Sequence, residues 1–243
     1  MLLKYRRTVT ENTFSNCPGS EEKEKKAEWE PKFSISVETE EQLDAALNFT
    51  VADGIYIDSS LWSMTQMYEF CCSAKGTEAL KSFRIFYILP AVFRMETAEA
   101  YTKELRTLAN IPWHGFVVKN LESYEWLLNQ KTEKPMILDA NVYTFNQRAK
   151  EFWKKQEYIL YETVPVELNC KELKQRGCED GELMVYGRLP MMVSAGCVYK
   201  SLKRCRKGNK GNVTEQELYQ LKDRKNMRFP VKPVCRDCYN VIY

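Results

Sequence analysis

Short, nearly continuous apolar runs recur from residue 32 onward, and polar, helix-patterned stretches separate them. The runs are FSISV (33–37), GIYID (54–58), RIFYILP (84–90), GFVVKN (115–120), PMILDA (135–140), EYILYE (157–162) and ELMVYGR (182–188). Each is too short for a core helix and apolar on consecutive positions, as strands of a parallel sheet covered on both faces are. The stretches between them carry helix starts. Thr39 precedes EEQLDAAL and Asn120 precedes LESYEWLLNQ, and both are residue types whose side-chain oxygen caps free N–H groups. In FNQRAKEFWKK the spacing sets Phe145, Ala149, Phe152 and Trp153 on one helix face. Thr214 and Glu217 have capping-box spacing at the start of VTEQELYQL. WSMTQMYEFCCSAKG also reads as a helix, with Cys71 and Cys72 as small buried apolar residues.

Seven strand-then-helix units predict an α/β protein with a parallel sheet. Their even recurrence favours a TIM-barrel-like (β/α) fold over an open doubly wound sheet. No Gly-x-Gly-x-x-Gly or Walker sequence follows any run, which weakens a nucleotide-binding alternative. A full barrel needs an eighth strand, for which FPVKPV (229–234) is the candidate; without it the barrel is incomplete. Residues 1–31 read as an extension or linker, because EEKEKKAEWE mixes charge signs without apolar periodicity and Cys17 sits in turn-like SNCPGS. The expected division is an extension over 1–31, a barrel-like α/β domain over 32–196, and a Cys-rich, basic C-terminal segment over 197–243 packed on the barrel.

Composition narrows the class. The chain has 243 residues, 44 % of them hydrophobic, enough for a sizeable core. No apolar run approaches the roughly 18 residues that span a bilayer. MLLKYRRTVTEN lacks the apolar stretch of a signal peptide. The expectation is a cytoplasmic protein with no membrane contact. Nine cysteines then indicate thiols and metal sites over disulfides. A net charge of +3 is too small to imply nucleic-acid binding by itself. The single histidine, His114, excludes a His-x-x-x-His zinc protease site, and any Ser-His-Asp or Cys-His arrangement would have to use it. Its place just before GFVVKN reads as packing at a strand entrance.

In a barrel, reactive groups collect at the C-terminal ends of the strands. That rule selects Asp58, Lys119, Asn120, Asp139, Asn141, Glu162, Glu167, Tyr186 and Arg188. All of them also fit helix caps or loops. Glu167 in VPVELN and Arg188 in MVYGRLPMMV are the stronger catalytic candidates, because a charge among apolar neighbours calls for a partner or a ligand. The metal candidates are Cys197, Cys205, Cys235 and Cys238, spaced as Cys197-x7-Cys205 and Cys235-x2-Cys238. A loose pair and a tight pair of thiolates can close on one metal ion or one iron–sulfur cluster. Cys170 and Cys178 flank helix-like KELKQR and are set aside. The loop YKSLKRCRKGNKGN (199–212) has six Lys and Arg and no acid. It reads as a solvated loop or as a surface for phosphate or RNA. Tyr199 alone gives little for bases to stack on.

VELN, ELMVYGRLPMMVSAGC and LKDRKNMRFPVKPVCRDCYNVIY resemble peptidase family U-32, the collagenase-like peptidases. Residues 32–243 look like the C-terminal part of such proteins. The resemblance implies a barrel-like fold and a hydrolase acting on a peptide or protein substrate, with no catalytic residues firmly assigned. Relatives in the same superfamily modify RNA bases or hydroxylate a quinone precursor, and hold a 4Fe-4S cluster on four cysteines. Cys197, in SAGC, matches the first ligand and Cys205 the second. Cys235 and Cys238 fit less directly, because ligand spacing differs between branches. Family members usually have a longer N-terminal part and continue past NVIY, so a missing N-terminal half or partner chain is expected. Three functions follow: a peptidase, an iron–sulfur hydroxylase acting on an RNA base or small aromatic, or a non-catalytic module stapled by zinc.

Overall fold

The computed structural model describes residues 2–7, 31–202, 205 and 219–243. After β1 (Leu2–Arg7), strands and helices alternate: β2 (Pro31–Val37), α1 (Glu40–Leu47), β3 (Ala52–Asp58), α2 (Met64–Cys72), α3 (Ala74–Ser82), β4 (Arg84–Ile88), α4 (Met95–Thr107), β5 (Gly115–Val118), α5 (Leu121–Gln130), β6 (Met136–Leu138), α6 (Gln147–Lys154), β7 (Ile159–Glu162), α7 (Cys170–Arg176) and β8 (Glu182–Tyr186). Every apolar run named above became a strand. Strands β2 to β7 are parallel and pair in chain order. The architecture is α/β, a curled six-strand parallel sheet alternating with helices, consistent with a partial β/α barrel.

β1 pairs antiparallel with β2 on one side and β8 on the other, so β8 runs parallel to β2. One parallel bridge then joins Thr163, just past β7, to Glu182. Val164 N donates to Glu182 O there at 2.8 Å. The sheet therefore curls until its two ends touch. The additional strand is β1, from the stretch expected to be a linker. Its sequence LLKYRR is half basic, which hides the apolar signal. EEKEKKAEWE and Cys17 lie outside the described residues.

FPVKPV falls elsewhere. It belongs to a second, antiparallel sheet built from β9 (Met192–Ser194), β10 (Tyr219–Lys222), β11 (Arg228–Val234) and β12 (Tyr239–Ile242), in the order β10-β11-β12-β9. A short α8 (Val198–Ser201) follows β9. The helix expected over VTEQELYQL is corrected at its end: Tyr219 pairs with Val231 in the β10–β11 ladder, and sheet pairing overrides local helix preference. Thr214 and Glu217 lie outside the described residues.

The parallel strands are apolar on both faces, which is why their sequences read as unbroken runs. Ile55 and Ile57 point to the helices, against Met64, Met67 and Leu43. Tyr56, between them, points inside the curl with Phe86, Ile88, Val117, Ile137 and Tyr161. Helix starts follow the capping logic. Thr39 Oγ1 accepts from Gln42 N at 3.2 Å, and Asn120 Oδ1 accepts from Ser123 N at 2.8 Å.

Two helix expectations change. WSMTQMYEFCCSAKG is split, because Ser73 ends α2 and its hydroxyl caps α3 by accepting from Gly76 N at 3.1 Å. A Cβ on Gly76 would lie 1.9 Å from Phe70 O, so only glycine permits the turn. Cys71 is buried as expected, but Cys72 is exposed, one step round from the buried stripe of Met64, Met67 and Cys71. In α6 Asn146 caps the helix, so Phe145 stays outside it and stacks on Tyr143. Trp153 alone of that expected face is buried.

Candidate functional site

The C-terminal ends of the parallel strands open into a cavity of about 1010 Å³. Seven of the residues selected by the strand-end rule line it: Asp58, Lys119, Asp139, Asn141, Glu167, Tyr186 and Arg188. The opposite wall is the second sheet, which lies over the mouth as a roof and contributes Val231, Lys232, Val234, Tyr239 and Val241.

The floor is polar and mostly withdrawn from solvent. Asp58, at the last position of β3, is buried. Its Oδ1 accepts from Ser60 N at 2.8 Å, and its Oδ2 accepts from Lys119 Nζ at 3.0 Å. From the roof, Lys232 Nζ donates to Glu38 Oε2 at 2.8 Å and to Ser60 Oγ at 3.0 Å. Burial pushes the Asp58 carboxyl up, but Lys119 and Lys232 outweigh it and hold it below the ordinary 3.8. Burial likewise opposes the charge on Lys119, yet Asp58, with Asp139 and Tyr239, lifts its ammonium well above 10.5. The pair is therefore ionised across the physiological range. Tyr239 accepts from Ala91 N at 3.4 Å, and burial, reinforced by Asp58, raises its hydroxyl.

The other wall is apolar and open. Tyr186 and Met191 are each 70 % exposed, and Leu189 and Val193 continue the same stretch along the cavity. Arg188 is exposed in the middle of it, and its charge acts on the Tyr243 hydroxyl.

The roof is pinned to the body at Arg236. Its Nη2 reaches both carboxylate oxygens of Glu104 at 2.9 Å, and Nη1 donates to Trp62 O and Tyr87 Oη at 3.3 Å. The guanidinium also lies 4.4 Å from the Tyr101 ring centroid. Val234, Tyr239 and Val241 pack against Ala91 and Val92 beside it.

Three expected residues serve the scaffold. Asn120 caps α5 and donates to Pro90 O and Ala91 O, both at 3.1 Å. Glu162 forms an ion pair with Arg176 in the interior. His114 sits at the opposite end of the strands, where its Nδ1 accepts from Ile85 N at 3.0 Å. Burial, with Lys134 and Arg84 nearby, lowers its pKa, which suits a neutral acceptor.

Cys197 precedes α8, while Cys235 and Cys238 bracket the turn between β11 and β12. The Asn240 side chain bonds Gly196 O and Val198 N, the neighbours of Cys197, two residues from Cys238. The chain path thus brings three of the four thiols to one end of the roof. Among the described residues, no three His, Cys, Asp or Glu side chains converge as a metal-binding group.

Strand-end reasoning missed Glu38, Ser60, Lys232 and Tyr239. Lys232 left a signal: it is a lone charge between Pro230 and Pro233 in an apolar stretch, the feature that singled out Arg188. Comparison with known protein families, curated proteins and solved structures finds no match to this chain.

Proposed function

We propose that this chain is a hydrolase of the collagenase-like U-32 peptidase kind, which binds a peptide in the mouth cavity. On this reading the curled sheet is a TIM-like barrel with β1 as its antiparallel member, and the second, antiparallel sheet forms its lid. The reading is carried by the convergence of Asp58, Lys119, Asp139, Glu167 and Arg188, from five separate strand ends, on one cavity. Glu167 is exposed at the mouth and has no hydrogen-bond partner among the described residues. It takes a proton from the water that adds to the peptide carbonyl, then returns it to the leaving amine. Arg188, exposed on the same cavity, offsets the charge that develops on the carbonyl oxygen. Such a route needs no histidine, in keeping with His114 at the far end. The protein acts in the cytoplasm, away from membranes, together with a partner chain. Among the described residues, no helix is long and apolar enough to cross a membrane.

The test is incubation with gelatin and collagen peptides. Cleavage that falls roughly 100-fold or more in Glu167→Gln supports the reading. No cleavage by the unaltered protein, with trypsin active in the same buffer, overturns it.

A second reading rests on Cys197, Cys235 and Cys238 at one end of the roof. With Cys205 they would hold a 4Fe-4S cluster, which would supply electrons for hydroxylating an RNA base or small aromatic; zinc on the same thiols would instead staple the roof. Anaerobic purification followed by iron, sulfide and zinc assays separates these. Iron and sulfide that vanish in Cys197→Ser support the cluster, and zinc without sulfide contradicts it.

A further inference from the structure

The two cations of the cavity floor retain unused donors. A lysine ammonium carries three N–H bonds. Lys119 uses one on Asp58, and Lys232 uses two, on Glu38 and Ser60. Their side chains are only 18 % and 22 % exposed, so a ligand atom that meets them is drawn out of bulk water, where charge-assisted hydrogen bonds are strongest. Ser60 ties them together: its N–H reaches Asp58, the partner of Lys119, and its hydroxyl receives Lys232. The Tyr239 hydroxyl, which accepts from Ala91 N, keeps its own hydrogen for the same region.

The charge balance limits which anion fits. Lys119 already faces Asp58, with Asp139 also acting on it, and Lys232 faces Glu38. A singly charged group meets half the repulsion from these carboxylates that a phosphate dianion would meet. Beside the floor, Tyr186, Leu189, Met191 and Val193 turn exposed apolar surface toward the same cavity. Contiguous exposed apolar residues at a concave site mark a ligand surface.

We propose that the cavity selects a carboxylate-headed ligand with an apolar body, the free C-terminus of an apolar peptide, with Lys119 and Lys232 receiving the carboxylate. The inference rests on the mouth cavity being the substrate site, and gives it a polarity: the peptide enters C-terminus first, its side chains along Tyr186 to Val193.

The test is calorimetric titration with N-acetyl-Leu-Leu-Phe as the free acid and as the C-terminal amide, with inorganic phosphate as competitor. The acid binds at least roughly tenfold tighter than the amide, as the loss of a charge-assisted bond implies. Lys232→Gln removes that preference but leaves amide binding. Lys119→Met strands Asp58 without its partner, so it is paired with Asp58→Asn, and this double variant also loses the preference. Equal affinity for acid and amide, binding of neither, or displacement of the acid by phosphate at equal concentration overturns the proposal. The gelatin assay reads separately. Acid preference without cleavage removes the peptidase reading alone, and cleavage without acid preference removes this inference alone.

Discussion

The strand-and-helix body and the roof are held by different forces. In the body, Ile57, Trp113 and Phe116 are fully buried and the sheet is sealed on both faces. The roof buries Val231, Val234 and Tyr239 and touches Ala91 and Val92 of the body, but it adds charged pins to that smaller contact, Lys232 on Glu38 and Arg236 on Glu104. Charge screening does not weaken apolar burial, while partly exposed ion pairs weaken as salt screens them. The lesson is that the body sets the fold and the roof sets the site, and the second can loosen while the first stays intact.

The sharpest break of this contrast lies in the body. Trp113→Ala empties a fully buried site and costs about 3–5 kcal/mol in a denaturant titration. Gly76→Ala comes next, at about 1–3 kcal/mol, because the added Cβ meets Phe70 O and forces α2 and α3 apart. Arg236→Ala removes the pin and costs about 2 kcal/mol. Its signature is local: hydrogen exchange rises across 228–242 and leaves β3 to β6 protected. Uniform loss of protection would show that roof and body unfold as one unit.

Acid and base sharpen the comparison at the floor. The Asp58 carboxyl is held low, so its contribution to stability is complete above pH 3.8 and fades as pH falls further. The Lys119 ammonium is held high, so its contribution is complete below pH 10.5 and fades as pH rises beyond it. Asp58→Asn with Lys119→Met flattens both limbs of a stability–pH curve, and unchanged limbs would show that the pair contributes nothing. The smallest effect is chemical. Burial, with Cys72 adjacent, pushes the Cys71 thiol up to about 12. Iodoacetamide at pH 8 therefore labels exposed Cys72 and spares Cys71, which peptide mass mapping reads directly.

The same division explains what the sequence disclosed. Body strands announce themselves, since Ile55, Tyr56 and Ile57 are apolar toward both faces and Thr39 and Asn120 cap the helices that follow. Once the strands are placed and read as a barrel, the strand-end rule selects Asp58, Lys119, Asp139, Glu167 and Arg188, all of which line the cavity. The roof is less legible. Its β10 begins inside a helix-like pattern, and its β11 contains Pro230 and Pro233, which argue against a strand between two partners. Lys232 reaches Glu38 only because the sheet folds back over the mouth, and no local spacing encodes that contact. β1 was hidden for a related reason: its place between β2 and β8 is a long-range pairing of a half-basic segment.

The central claim is that roof and strand ends close on one ligand. Hydrogen exchange of the whole chain, with and without N-acetyl-Leu-Leu-Phe as the free acid, tests it most directly. The account predicts added protection in two separate regions, the strand ends (the loops after β3 and β5 around Ser60 and Lys119) and the roof from Pro230 to Tyr243. Protection of one region alone, or of neither, would contradict it.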